Sequence, residues 1–229
     1  MNILHAIREQ LLPERCVLCL HVQGPLCAEC RAGLPHNRVA CPRCARPQTG
    51  AASYVCGDCA GRPPPFDAAW SAFRYAAPID RAVQGLKYSA HFRNARWLGL
   101  EMARLLAQRP QPMPQLLLPV PLHGGRLRRR GYNQALELAR VIGRALDVTV
   151  DTGAMRRLRA TTDQIGKTAV ERRRNVKNAF AVDAARLQGK HIALLDDVMT
   201  TGSTLAELAR VCRQAGAGRI EVWTAARVE

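Results

Sequence analysis

Long apolar runs are missing from this sequence, and with them a whole class of proteins. A stretch of about eighteen consecutive apolar residues, the least a membrane-spanning helix needs, occurs nowhere in the 229 residues. The opening MNILHAIREQLLPERC places Arg8 and Glu9 where a secretory leader requires an unbroken apolar segment, so a cytoplasmic protein without membrane insertion is expected. Aromatic residues are also few. Three Trp, four Tyr and four Phe do not furnish an extended base-stacking platform. Lysine is scarcer still: Lys87, Lys167, Lys177 and Lys190 stand beside 30 Arg. A G+C-rich genome produces such an Arg excess unaided, so it carries little functional weight. The shortage of acid does carry weight. Eighteen Asp and Glu face 34 Lys and Arg, a formal charge of +16, which favours polyanions such as nucleic acid or phosphorylated metabolites. Residues 121–180 hold 14 basic and 5 acidic side chains, so more than half of the net charge sits in one stretch. An apolar fraction of 48% excludes disorder as the main state.

Cysteine is plentiful and regularly spaced. Eight of the nine form four CxxC pairs: Cys16/Cys19, Cys27/Cys30, Cys41/Cys44 and Cys56/Cys59. A CxxC knuckle aims two thiolates at one ion from a tight turn, and two knuckles complete a tetrahedral site. Two structural Zn²⁺ sites follow. Disulfides are the competing reading, and the missing leader argues against an oxidising compartment. Sequential pairing of knuckles gives two consecutive ribbons, and interleaved pairing gives a cross-brace. Shorter loops close at lower entropic cost, which favours the sequential form. His21 and His36 read as surface residues, since eight cysteines already fill both sites. A segment this poor in apolar residues draws most of its folding energy from metal. Each Cys₄–Zn²⁺ site carries a charge of −2, so the loaded protein stays basic at about +12.

Gly61-Arg62-Pro63-Pro64-Pro65 is a stiff, extended break. It divides the chain into residues 1–62, an N-terminal helix with the double ribbon, and residues 63–229. The second part alternates strand-like and helix-like segments: strands at 68–75, 116–120, 191–195 and 220–225, helices at 78–89 and 95–108. Ala135, Leu138, Ala139, Ile142 and Leu146 share one helical face, as do Leu205, Leu208, Ala209 and Cys212. Cys212 is therefore a core residue. This alternation predicts an α/β fold, a parallel sheet with helices on both faces.

The stretch that carries most chemistry runs from His191 to Thr204. A buried strand delivers Asp196 and Asp197, and Thr200-Thr201-Gly202-Ser203-Thr204 then opens a helix. Small residues permit close backbone approach, and their N–H groups with the helix dipole make an anion site. Paired carboxylates suit a vicinal diol, each oxygen accepting from a sugar hydroxyl. Phosphate and diol side by side describe a ribose 5-phosphate ligand. The competing reading makes the hydroxyls a helix cap, yet one cap needs only one of them.

The segment 194–204 resembles the signature of type I phosphoribosyltransferases that binds phosphoribosyl pyrophosphate (PRPP). Together with the double zinc ribbon, the string Arg129-Arg130-Gly131-Tyr132-Asn133-Gln134, Thr161-Thr162-Asp163-Gln164 and the segment 172–175, it makes the chain similar to the ComF/GntX family over nearly its whole length. The resemblance implies that Asp196 and Asp197 hold the ribose hydroxyls, that Thr200, Thr201, Gly202, Ser203 and Thr204 hold the 5-phosphate, and that Mg²⁺ accompanies PRPP. Arg130, Asn133, Gln134 and Lys87 become candidates for the pyrophosphate end. For Lys87 a snorkelling position on an amphipathic helix explains the residue equally well. Hypoxanthine-type enzymes carry an Asp at the position of Thr200, and a Thr is no general base at neutral pH.

Three functions stay open. The family resemblance implies a PRPP-binding protein of natural competence that handles incoming single-stranded DNA, with a competence helicase as a family-level partner. Arg126, Arg128, Arg129, Arg172, Arg173 and Arg174, with Arg156, Arg157 and Arg159, would track the backbone, and Tyr132 would stack a base. A salvage phosphoribosyltransferase is the second, and the sequence shows no nucleobase pocket for it. A PRPP-sensing regulator of duplex DNA is the third.

Overall fold

The computed structural model describes residues 14–22, 24–110, 112–160 and 169–229, without the side chains of residues 169, 170, 172 and 173. The expected N-terminal helix lies outside these residues, as do Thr161, Thr162, Asp163 and Gln164. Two short helices, α1 (Ala28–Ala32) and α2 (Gly57–Gly61), belong to the cysteine-rich segment. Then follow β1 (Ala68–Arg74), α3 (Ile79–Tyr88), α4 (Phe92–Leu106), β2 (Leu116–Pro119), α5 (Gly124–Arg130), α6 (Gln134–Leu146) and β3 (Thr149–Val150). The chain continues through β4 (Met155–Arg157), α7 (Ala169–Val176), β5 (Phe180–Val182), α8 (Ala184–Leu187), β6 (His191–Met199), α9 (Ser203–Gln214) and β7 (Arg219–Arg227).

β1, β7, β6, β2 and β3 lie side by side in that order, every pair parallel. β4 and β5 form a separate antiparallel pair. Residues 192–195 of β6 are an unbroken apolar run because the strand is covered on both faces there. Ala193 and Leu195 face a core shared with α3, α4 and α6, whereas Ile192 and Leu194 face one shared with α9, β4 and β5. The helical faces expected from spacing are buried at Ala135, Leu138, Ala139 and Ile142 and at Leu205, Leu208, Ala209 and Cys212. Burial pushes the Cys212 thiol up to about 12, in keeping with a packing role.

Three local expectations are corrected. The strand from His191 runs on to Met199, because β7 pairs with Asp196 through Thr224 and with Met199 through Arg227. The segment after β2 holds an unexpected helix, α5, which starts on two glycines and has no apolar face. His36 is half-buried, not on the surface. Residues 35–37 run antiparallel along β1, with Asn37 N donating to Ala72 O at 3.0 Å and Arg74 N to Pro35 O at 2.8 Å. That places the His36 ring 5.3 Å from Phe73.

The two ribbons meet the sheet differently. Cys16, Leu26, Cys27 and Leu34 belong to the same buried cluster as Phe73, Trp97 and Leu98. Arg31 reinforces this through Glu101 of α4, a 2.6 Å ion pair, and Arg104 holds the other carboxylate oxygen at 2.9 Å. Cys41, Cys56 and Cys59 form a small cluster of their own, tied to β1 by Ala69 N donating to Pro42 O at 3.0 Å.

Candidate functional site

The knuckles pair sequentially. Cys16, Cys19, Cys27 and Cys30 form one group and Cys41, Cys44, Cys56 and Cys59 the other, each with its sulfurs within 4.8 Å of one another. Tetrahedral Zn–S bonds of about 2.3 Å set sulfurs about 3.8 Å apart. The Cys19 and Cys27 sulfurs are 3.6 Å apart, and those of Cys44 and Cys56 are 3.7 Å apart. Both donor sets therefore fit zinc. Burial opposes ionisation of Cys16, but backbone donors at Cys19, Cys27 and Leu18 outweigh it and bring the thiol down to about 6. Cys30 is pushed up by the Cys27 and Cys19 sulfurs beside it. Several thiolates at one point need a cation.

At the carboxyl edge of the sheet a cleft of about 940 Å³ opens. It gathers most of the residues singled out from the sequence: Lys87, Arg126, Arg129, Arg130, Tyr132, Gln134, Asp196, Asp197, Thr200, Gly202, Ser203 and Thr204. Asp197 is buried. Its Oδ1 accepts from Val198 N at 2.7 Å, and its Oδ2 lies 3.1 Å from Lys87 Nζ. That oxygen has no aligned hydrogen-bond donor among the described residues. Asp196 Oδ1 accepts from Asp197 N at 2.9 Å. Burial, and then the charge of Asp197, push the Asp196 carboxyl up to about 7. For Lys87, burial works against the charge, and Asp197 and Asp196 more than restore it, holding the amine above its usual range. Lys87 thus faces inward onto the acids.

The turn after β6 hinges on Gly202, whose φ of +74° is ordinary for glycine and strained for other residues. Gly202 is also the N-cap of α9, a cap residue without a side chain. The cap position itself thus carries no hydroxyl, and Thr201 Oγ1 donates to Ser203 Oγ at 3.2 Å. Across the cleft, His123 caps α5, and Gly131 at φ +84° ends it. Arg126, Arg129 and Arg130 stand at i, i+3 and i+4, one side of that helix, and all three line the cleft. Arg128 is exposed and outside the lining.

Several candidates, inside the cleft or beyond it, already hold partners within the fold or lie on the surface. Asn133 caps α6, its Oδ1 accepting from Ala135 N and its Nδ2 donating to Val120 O, both at 3.0 Å. Gln134 Oε1 accepts from Arg130 at 2.6 Å. The Tyr132 hydroxyl donates to Leu86 O and accepts from Ala90 N, and its ring meets Phe92 edge-on at 4.9 Å. Arg156 and Arg159 are exposed, and Arg157 lines the cleft. Arg174 on α7 is exposed, while the side chains of Arg172 and Arg173 lie outside the described residues. Sequence reasoning missed Tyr88: it is 72% exposed at the cleft mouth, with the Arg130 guanidinium 5.7 Å from its ring. Its signal was present in the string Leu86-Lys87-Tyr88.

Residues 7–60 match the double zinc ribbon domain family. The DNA utilization protein YhgH of Escherichia coli O157:H7 is 35% identical over 206 residues, covering 88% of this chain and 90% of that protein. Competence protein F of Haemophilus influenzae is 35% identical over 227 residues, covering 93% and 96%. Among solved structures, the glutamine PRPP amidotransferase from B. subtilis aligns with 57% of this chain and 26% of its own, at 17% identity and a TM-score of 0.36. No helix among the described residues is long and apolar enough to cross a membrane. Identity at this level, running through ribbon and sheet alike, means that the chain belongs to the ComF/GntX family.

Proposed function

We propose that the cleft binds PRPP with Mg²⁺, and that the protein acts in the cytoplasm on single-stranded DNA entering the cell. The observation that carries the first part is the buried Asp197, its Oδ2 paired with Lys87 Nζ at 3.1 Å, beside a second acid and next to a hydroxyl turn hinged on glycine. Carboxylate oxygens keep acceptor capacity beyond one ion pair, and a ribose diol supplies donors to both acids. The turn 200–204 then receives the 5-phosphate at the start of α9. Lys87, Arg126, Arg129, Arg130 and Arg157 line the same cleft, with Asp196 and Asp197 its carboxylates among the described residues. Burial and the neighbouring Arg126 both work against the charge of Arg157, which an anion relieves. These cations suit the pyrophosphate, with Mg²⁺ neutralising part of its charge and keeping several waters.

The second part draws on the relatives named for DNA utilization and competence, and on the charge of +16. DNA lacks the 2′-hydroxyl, so the diol acids do not read it. The strand instead follows the rim, on Arg126, Arg128, Arg129 and Arg174. Tyr88 takes the stacking role first assigned to Tyr132. Two assays test the reading. Binding to single strands is expected to exceed binding to duplex and to weaken with salt, and incubation with PRPP, Mg²⁺ and a panel of bases is expected to release no pyrophosphate. Release with one base would make the protein a salvage phosphoribosyltransferase. Preference for one duplex sequence, altered by PRPP, would make it a regulator.

A further inference from the structure

One buried side chain joins the second ribbon to the phosphate turn. Arg227, at the end of β7, is only 4% exposed. Its Nε donates to Cys44 O at 3.0 Å. Its Nη1 donates to Met199 O at 3.1 Å and also meets the carbonyl oxygens of Thr200 and Val228. Every one of these acceptors is a backbone carbonyl. Among the described residues Arg227 has no carboxylate within ion-pair distance, although a buried cation without counter-charge is unfavourable.

The counter-charge at hand is the second cysteine cluster. Four thiolates around one Zn²⁺ carry a net −2, and Cys44, one of the four, is the residue whose carbonyl Arg227 holds. Closing the knuckle on the metal fixes that carbonyl as well as the charge. At its other end the guanidinium fixes the first peptides of the turn. A trans peptide sets its N–H opposite its C=O, and the peptide between Thr200 and Thr201 is trans. Holding Thr200 O toward Arg227 therefore turns Thr201 N–H the other way, away from the guanidinium. The first ribbon has no such link to the turn among the described residues, since it docks on α4 and the outer side of β1.

We propose that Arg227 is a positioning residue through which zinc in the Cys41, Cys44, Cys56, Cys59 site sets the affinity of the 200–204 turn for the PRPP phosphate. This rests on the PRPP reading above. Coupling between two ligands is reciprocal, so PRPP in turn tightens that zinc and leaves the Cys16, Cys19, Cys27, Cys30 zinc alone.

The test uses the full, zinc-loaded chain. It is equilibrated with graded zinc-selective chelator, with and without Mg²⁺ and PRPP, and cysteine alkylation is read peptide by peptide. PRPP is expected to raise the chelator needed to expose Cys41, Cys44, Cys56 and Cys59 by about fivefold or more, within the usual range of coupling, with no shift for the first four cysteines. Arg227→Met is expected to lower PRPP affinity by a similar factor and to abolish the protection while keeping both zincs. Arg227→Lys, which keeps the charge but not the planar fork, is expected to restore only part of it. PRPP binding to the wild type without selective protection would overturn the inference alone, whether or not Arg227→Met folds. No PRPP binding to the wild type would overturn both readings.

Discussion

Asp196, Asp197 and Lys87 form a charge cluster whose behaviour depends on pH in two opposite ways. The folded-state pKa of Asp196, about 7, lies above its ordinary value near 3.9. The stability this group contributes is therefore complete in acid and is lost as the pH rises through about 7. A diol needs the carboxylate as acceptor, so affinity for PRPP is expected to move the other way, falling as the pH drops through that value. Calorimetric titrations at several pH values check this, and Asp196→Asn is expected to flatten the dependence as well as weaken binding. The acids and the hydroxyl turn were legible because they are adjacent in sequence. The pairing of Lys87 with Asp197 was not, since α3 and β6 meet only in the folded chain. Tyr132 and Tyr88 show the same limit: both lie near Arg residues, and only packing reveals that the hydroxyl of one is bonded to Leu86 and Ala90. Tyr88→Ala is expected to weaken single-strand binding by about 1–3 kcal/mol, the worth of one stacked base, as read by fluorescence anisotropy.

At the scale of elements, the ribbons are alike in sequence and unlike in context. Replacing Cys16 and Cys19 by Ser disturbs the cluster that holds Phe73 and Trp97. It is expected to destabilise the whole molecule by on the order of 4 kcal/mol or more, as loss of a structural metal does. Replacing Cys41 and Cys44 removes the other zinc and leaves the far-UV spectrum of the α/β part largely intact. Thermal melts followed by circular dichroism decide, and equal destabilisation by both pairs would contradict this distinction. The spacing of CxxC pairs announced the metal sites but not that the first ribbon shares a core with Phe73 and Trp97, because that depends on Leu26 and Leu34 meeting α4 and β1. Helices with an apolar face, α6 and α9, were readable from period alone. α5 was not, because Gly124, Gly125 and its arginines have no buried side. The end of β6 was misjudged because pairing with β7, not hydrophobicity, carries the strand through two acids.

For the whole molecule, the proposed reading has the excess charge organise two ligands of different chemistry. It puts ribose hydroxyls and a terminal phosphate on the cleft floor and a deoxyribose backbone on the arginine rim. Single-strand binding is expected to weaken with salt by about 0.7 in log–log slope per phosphate neutralised. Replacing Arg126, Arg128 and Arg129 together by Ala is thus expected to reduce the slope by about 2; an unchanged slope would move the strand to another face. The basic balance and the parallel sheet were legible in composition and alternation. The convergence of α3, α5 and β6 on one cleft required the fold. The most direct measurement is calorimetric titration of the zinc-loaded protein with PRPP and Mg²⁺, beside the Asp196→Asn, Asp197→Asn double variant. The account predicts one PRPP per wild-type chain, no binding to the variant, and two zincs in both. Unchanged PRPP binding by a folded double variant would contradict it.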